Sequence, residues 1–270
     1  LEHAAAIGSV FWLGGLVALE RSDARVPELW ENDDDRASIQ GILDALVERD
    51  YLLELPDSAF AGEREYVFKH NLERERVSRL TSATADRRYH QVIAEYLAGK
   101  DGVRSQEESS AMLADHLARA GAAERAGLVF IEAGDQARAL FAHQDAVHYY
   151  RSALALGAEN AWRLHAACGE LFMRLGAYPD ALSSFETAAA LAPTAVLSSL
   201  EQQLAQVYQR QGEWSLAALT LTQAQSHLDE ASDPAGAARL LIARSLVAHH
   251  QKQPQAALAW AQQARPLAET

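Results

Sequence analysis

A single cysteine, Cys168, stands among 270 residues, so no internal disulfide can form. Such scarcity fits a reducing, cytoplasmic setting. Long apolar runs are also missing. The nearest approach is "AAAIGSVFWLGGLVAL", Ala4 to Leu19. It is shorter than a membrane span and has no basic leader before it. Gly8, Gly14 and Gly15 interrupt it, so it is read as two short buried helices. Positive charge is scarce too: 24 Lys and Arg face 37 Asp and Glu, for a net charge of -13. The excess is even along the chain, with 12 basic and 19 acidic groups in residues 1–100 and 12 and 18 in the rest. A surface of that sign repels nucleic-acid phosphate.

Catalytic signatures are absent as well. No G-x-x-x-x-G-K-[ST] loop is present to cradle a phosphate, and no H-E-x-x-H to hold zinc. The run "DDD", 33–35, follows no apolar strand and is read as an acidic helix start, not a magnesium site. His3, His90, His116, His143, His148, His165 and His227 are read as scattered core or surface residues. Adjacent His249 and His250 fall on different helix faces and make a poor metal pair. Cys168 reads as a buried inert thiol, and the five tryptophans mostly as core.

What is present is a repeat. "LFMRLGAYPDALSSFETAAALAP", Leu171 to Pro193, carries Ala181, Phe185 and Ala188. Upstream, Ala146, Tyr150 and Ala153 match them; downstream, Ala217, Leu221 and Ala224 do, and Ala257, Ala261 and Ala264 more weakly. The small residue of the preceding helix recurs as Gly134, Gly169, Ala205 and Ser245. The spacing lies near the tetratricopeptide period of about 34 residues. Small residues at Gly169 and Ala181 let two helices approach, and Pro193 ends the second. Each hairpin leaves an apolar face for the next to cover, so residues 100–270 are expected to form an α-solenoid. Ala126, Phe130 and Ala133 sit only 20 residues before the Ala146 copy, so an irregular junction is expected near 106–140. The inward helices should present Asp135, Arg138, Glu170, Met173, Arg174, Gln206, Gln209, Arg210, His249 and His250 to a groove. Long polar side chains suit a protein or peptide ligand there better than catalysis; simple solvation is the alternative.

Residues 1–99 read differently. Ile39, Ile42, Leu43, Leu46 and Val47 form a helical stripe. "YLLEL" and "REYVFKH" flank the turn-rich "PDSAFAGE" as a β-hairpin. Helices resume at "NLERERVSRL" and "ATADRRYHQVIAEYLAG", and "GKDGVRSQEE", 99–108, is a polar linker. Three helices, a hairpin and a helix give the order of a winged-helix domain in a mainly α chain. The helix before the wing ends in Asp44, Glu48, Arg49 and Asp50, whereas a groove-reading helix should be basic. Arg74, Arg76, Arg79, Arg87 and Arg88 alternate with Glu73, Glu75 and Asp86 as a solvated face.

"EYVFKHNLERERV", "RRYHQVIAEYLAG", "LADHLARAG" and "AGDQARALFAHQDAVHYYRSALAL" occur in this order after the opening segment. Together they resemble the region following the ATPase module of bacterial signal-transduction ATPases with numerous domains (STAND). These include multidomain adenylate cyclases and LuxR-type regulators with tetratricopeptide tails. The resemblance implies an upstream ATPase module, with ATP and ADP as its ligands, and a cyclase or DNA-binding output. It implies no cofactor in this fragment, a winged helix packed on the ATPase, and repeats that sense a signal. Opening on Leu1, the chain reads as a piece of something longer. "FKHNL" is similar to the Met-His-Asp motif of related switch ATPases, where the histidine reaches the phosphates of ADP. Lys69, His70 and Asn71 occupy the three places, so only His70 matches. The alternative is that His70 caps local structure. The expectation is a noncatalytic regulatory fragment; a DNA-binding winged helix or a fragment retaining enzymatic chemistry are the rivals.

Overall fold

A computed structural model of the chain describes residues 1–24, 33–100, 106–229 and 233–268. Among them are fourteen helices and a three-stranded sheet. The chain divides into two compact units, residues 1–140 with 155–158 and residues 141–154 with 159–270.

The first unit opens with α1 (Glu2–Ile7), β1 (Val10–Trp12) and α2 (Leu13–Ala24). The uncharged opening is therefore helix, strand, helix and not two helices. Gly8 ends α1 at φ 152° and ψ -163°, a conformation open essentially to glycine. The extended residues after it pair with a later strand. Gly14 and Gly15 do not break the structure; they sit in the first turn of α2. A Cβ on Gly14 would stand 2.5 Å from the Glu63 carboxylate and 2.9 Å from the Tyr96 hydroxyl.

Next come α3 (Asp33–Glu48), β2 (Leu52–Glu54) and β3 (Glu65–Phe68). Both β1 and β2 pair antiparallel with β3, in the order β1–β3–β2. Leu43 of α3 is 3% exposed and Ile39, Leu46 and Val47 pack against the same core, while Ile42 is 60% exposed and leaves the stripe. α4 (Asn71–Ser78) buries no residue. α5 (Ala83–Ala98), capped by the Ser82 hydroxyl accepting from Ala85 N–H at 3.2 Å, packs on α1 and α2. α6 (Gln106–Arg119) begins inside the segment read as a linker, whose residues 101–105 lie outside the described ones. It pairs with α7 (Ala123–Ala139), which buries Ala126, Phe130 and Ala133.

The second unit is a stack of helical hairpins. It contains α8 (His143–Ala155), α9 (Ala161–Leu175), α10 (Tyr178–Leu191), α11 (Thr194–Gln211), α12 (Trp214–Ser226), α13 (Pro234–His250) and α14 (Pro254–Ala268). α9 pairs with α10, α11 with α12 and α13 with α14; α10 then packs on α11, and α12 on α13. Ala181, Phe185 and Ala188 are buried, as are Ala146, Tyr150 and Ala153, and Ala217, Leu221 and Ala224. In the last copy Ala257 and Ala264 are buried but Ala261 is exposed. The turns that separate paired helices carry left-handed residues at Gly176, Gly212 and Lys252, with φ of 73°, 81° and 60°. Each turn closes with two backbone bonds, as when Gly176 and Ala177 N–H donate to Met173 and Phe172 carbonyls.

The tryptophans are less uniformly core than their type implies. Trp12 is buried. Trp162, Trp214 and Trp260 are half-buried against Arg163, His250 and Arg244, because an amphipathic ring shared with a polar partner tolerates a surface edge. Trp30 lies outside the described residues.

Candidate recognition groove

The inward faces of α9, α11 and α13 carry long side chains because the small residues behind them are consumed by hairpin packing. Between α9 and α11 lies a depression of about 500 Å³. Glu170, Met173 and Arg174 form one wall, Gln203, Gln206 and Arg210 the other, and Phe185 of α10 the floor. Gln203 donates to Glu170 Oε1 at 3.2 Å across it. Gln203 and Gln206 also line a second depression of about 410 Å³ between α11 and α13, with Gln209, Arg239, Ile242 and Leu246. Ile242 and Leu246 in turn line a third, of about 610 Å³, between α13 and α14, where His249, Leu258 and Ala261 also lie. Shared lining residues make the three one groove.

Seven of the ten expected groove residues thus meet along α9, α11 and α13: Glu170, Met173, Arg174, Gln206, Gln209, Arg210 and His249. His250 does not join them. Its ring stacks on Trp214 of α12, with centroids 3.8 Å apart and planes 4° from parallel. Asp135 and Arg138 are exposed on α7, in the first unit. His70 is exposed at the N-terminus of α4 and makes no side-chain capping bond.

Charge in the groove runs against the chain as a whole. Arg174 and Arg210 are exposed and ion-paired with no carboxylate among the described residues. Arg239 lies 3.8 Å from Asp233. Cys168, behind this face on α9, is buried, and burial pushes its thiol up to about 11; a group so rarely ionised is a poor nucleophile.

The first unit holds two polar arrangements that the residue pattern alone did not disclose. His90 of α5 and His116 of α6, both buried, meet Nδ1 to Nδ1 at 2.8 Å. Desolvation lowers the pKa of both, that of His116 to about 3. They are 26 residues apart, beyond any local spacing rule, and only the packing of α5 on α6 joins them. Glu65, on the central strand, is fully buried. Its Oε2 accepts from Trp12 Nε1 at 2.9 Å, Ala59 N–H at 2.5 Å and the Ser58 hydroxyl at 3.3 Å. Nearby basic groups are neutralised: Arg64 pairs with Glu54 at 2.6 Å and Asp44 at 3.6 Å, and Lys69 with Asp50. Among the described residues, no three His, Cys, Asp or Glu side chains converge as metal ligands, and no helix is long and apolar enough to cross a membrane.

No protein-family model matches the sequence, and no curated protein does. Solved structures of similar fold are found. Aspartyl phosphate phosphatase F from Bacillus subtilis is 12% identical, with 95% of this chain and 69% of that one covered at a TM-score of 0.52. The MamA protein is 13% identical over 68% of this chain and 92% of that one, at 0.50. YrrB, described as a TPR protein with an unusual peptide-binding site, is 18% identical over 66% of this chain and 84% of that one, at 0.49. At these identities the likeness shows the fold alone: a mainly helical chain with a hairpin-repeat solenoid.

Proposed function

We propose that this chain is a noncatalytic recognition fragment of a multidomain signalling ATPase. The groove of the second unit takes a protein or peptide segment, and residues 1–99, as a winged-helix-like module, couple that event to an ATPase upstream. The observation that carries the recognition role is the groove itself. Seven long side chains on three successive inner helices face one open channel, and the thiol behind it, on Cys168, is buried and held well above its ordinary pKa. The winged-helix reading is supported by the order α1–β1–α2–α3–β2–β3 and by a sheet in which β3 lies between β1 and β2. The ATPase connection rests on the resemblance of the "EYVFKHNLERERV" to "HYYRSALAL" segments to the STAND region, and His70 is its phosphate-sensing residue.

A displayed library of random decapeptides, selected on the purified chain, tests the recognition role. Peptides should be retained, and Gln206→Trp, which fills the place shared by the first two depressions, should abolish retention. Retention of no peptide, or retention indifferent to Gln206→Trp, overturns it.

A further inference from the structure

The groove changes character along its length. Its α9–α11 end is cationic and amide-rich, with Arg174, Arg210, Gln203 and Gln206 around a single carboxylate, Glu170, which Gln203 already engages. Arg239 adds a third guanidinium at the middle. Its α13–α14 end is mainly apolar, with His249 and Arg265 as its charged or titratable lining: Ile242, Leu246 and Leu258 are 55%, 46% and 60% exposed and face the same channel. Ala261 lies at that end. The aligned positions hold the buried Tyr150, Phe185 and Leu221.

From this gradient we infer that the groove's ligand is an extended peptide with an acidic block at one end and large apolar residues at the other, the acids on Arg174 and Arg210 and the apolar side chains over Leu246 and Leu258. The inference rests on the recognition role proposed above and gives that role its chemistry. Guanidinium forks match carboxylates, and pairs of that kind hold orientation as well as charge. Glutamine amides present a donor and an acceptor together, which suits a peptide backbone. Exposed Ile and Leu gain by covering apolar side chains. A ligand of positive charge would have to desolvate opposite the guanidinium groups with only Glu170 to meet it. Neighbouring helices lie about 9 Å apart and an extended chain advances about 3.4 Å per residue, so crossing from α9 to α14 takes roughly eight residues.

The test uses synthetic fluorescent decapeptides on the whole chain, followed by anisotropy. One has three acidic residues, a Gly-Ser spacer and a Leu-Phe-Leu end; a second replaces the acids by lysines; a third replaces the apolar end by serines. The first should bind, weaken with added salt, and lose about tenfold or more in affinity with Arg174→Glu/Arg210→Glu, as the removal of charge-assisted hydrogen bonds predicts. Leu246→Asp should weaken it to a similar degree. All three side chains are exposed, and an unchanged melting temperature shows that each variant folds. Equal binding of the lysine or serine peptide overturns this chemistry. So does a displayed-library selection, blocked by Gln206→Trp, whose winners lack the acidic and apolar blocks; there the recognition role survives and the ligand class falls. If no decapeptide, displayed or synthetic, is held above background, both fall together.

Discussion

A Cβ placed on Gly169 of α9 would stand 2.7 Å from Cε1 of Phe185 on α10, closer than any carbon pair can rest. Phe185 is 1% exposed, so the ring must shift to admit the methyl group. Helix propensity favours alanine over glycine by about 1 kcal/mol, and overpacking a closed core costs about 1–3 kcal/mol. The difference is a net loss of up to about 2 kcal/mol, so Gly169→Ala should destabilise the chain in urea unfolding. Gly127 on α7 has nothing within 4 Å of its added Cβ, and Gly127→Ala should gain about 0.5–1 kcal/mol. Adding Phe185→Leu to Gly169→Ala should recover part of the loss in a double-mutant cycle. A stabilised Gly169→Ala variant would show that the helices are not held by this contact.

The left-handed turn residue offers a second check. Gly176 and Gly212 take φ of 73° and 81° without strain, and Lys252 takes 60° at the matching turn. A non-glycine residue there costs about 1–2 kcal/mol, and glycine's extra unfolded-state entropy returns about 0.5–1. Lys252→Gly should therefore gain about 0.5 kcal/mol and Gly212→Ala lose about 1, read as shifted urea midpoints at constant slope. A loss from Lys252→Gly would mean that its side chain contributes a contact worth more than the strain.

Much of this solenoid was legible because its repeat is local. Ala181, Phe185 and Ala188 announce one buried helix face, and Gly169 announces the close approach. Groove residues on α9, α11 and α13 followed, since the face opposite the packed stripe must look outward. What failed to show is non-local. β1 hides in an apolar run that has no alternation, because β1 is three residues long and gains its identity only by pairing with β3. The groove's apolar end was missed; Ala261 lies there, where the aligned positions hold large buried residues. Transfer of the repeat positions assigns both His249 and His250 to the groove, yet the flat face of Trp214, 36 positions earlier, captures His250.

Glu65 should matter more than an acidic residue in a strand ordinarily does. Three donors converge on its Oε2 in a fully buried place. Glu65→Leu strands the Trp12 indole and the Ala59 amide, and each unsatisfied buried donor costs about 1–3 kcal/mol. A total loss of about 2–5 kcal/mol is expected. Trp12→Phe, which removes one donor and leaves the carboxylate its other partners, should cost less. Near-wild-type thermal stability of Glu65→Leu would contradict the arrangement.

His70 is the residue through which the proposed ATPase coupling can be tried. Its imidazole is exposed at the start of α4, where backbone N–H groups favour an anion. In the longer protein with its ATPase module, His70→Ala should weaken ADP retention and raise basal output. The isolated chain should show no saturable micromolar nucleotide binding, because it lacks a phosphate-cradling loop. Unchanged ADP affinity in a folded His70→Ala protein would make the residue structural only.

The His90–His116 pair sets an acid limit on the first unit. Its Nδ1–Nδ1 hydrogen bond needs one neutral acceptor, and burial disfavours a charge on either ring. Asp86, 3.6 Å from His90 Nε2, and Asp115 oppose the shift, while Arg119 reinforces it. The unfolded chain binds protons at these histidines from about pH 6.5 downward, whereas folded His116 resists until about 3. Where the unfolded state holds more protons, stability rises with pH, so it must fall as pH drops through that window, by up to about 1.4 kcal/mol per unit for each ring. The carboxylates of Asp23 and Glu63, lowered below their ordinary values, add their own losses only below about pH 5. Urea unfolding between pH 7.5 and 5 therefore reports on histidines: this pair and His165, whose pKa burial also lowers. His116→Gln, which keeps a hydrogen-bonding side chain but cannot take a proton there, should flatten the slope over that range even where it lowers stability at pH 7.5. An equally steep decline in His116→Gln would place the acid sensitivity elsewhere in the fold.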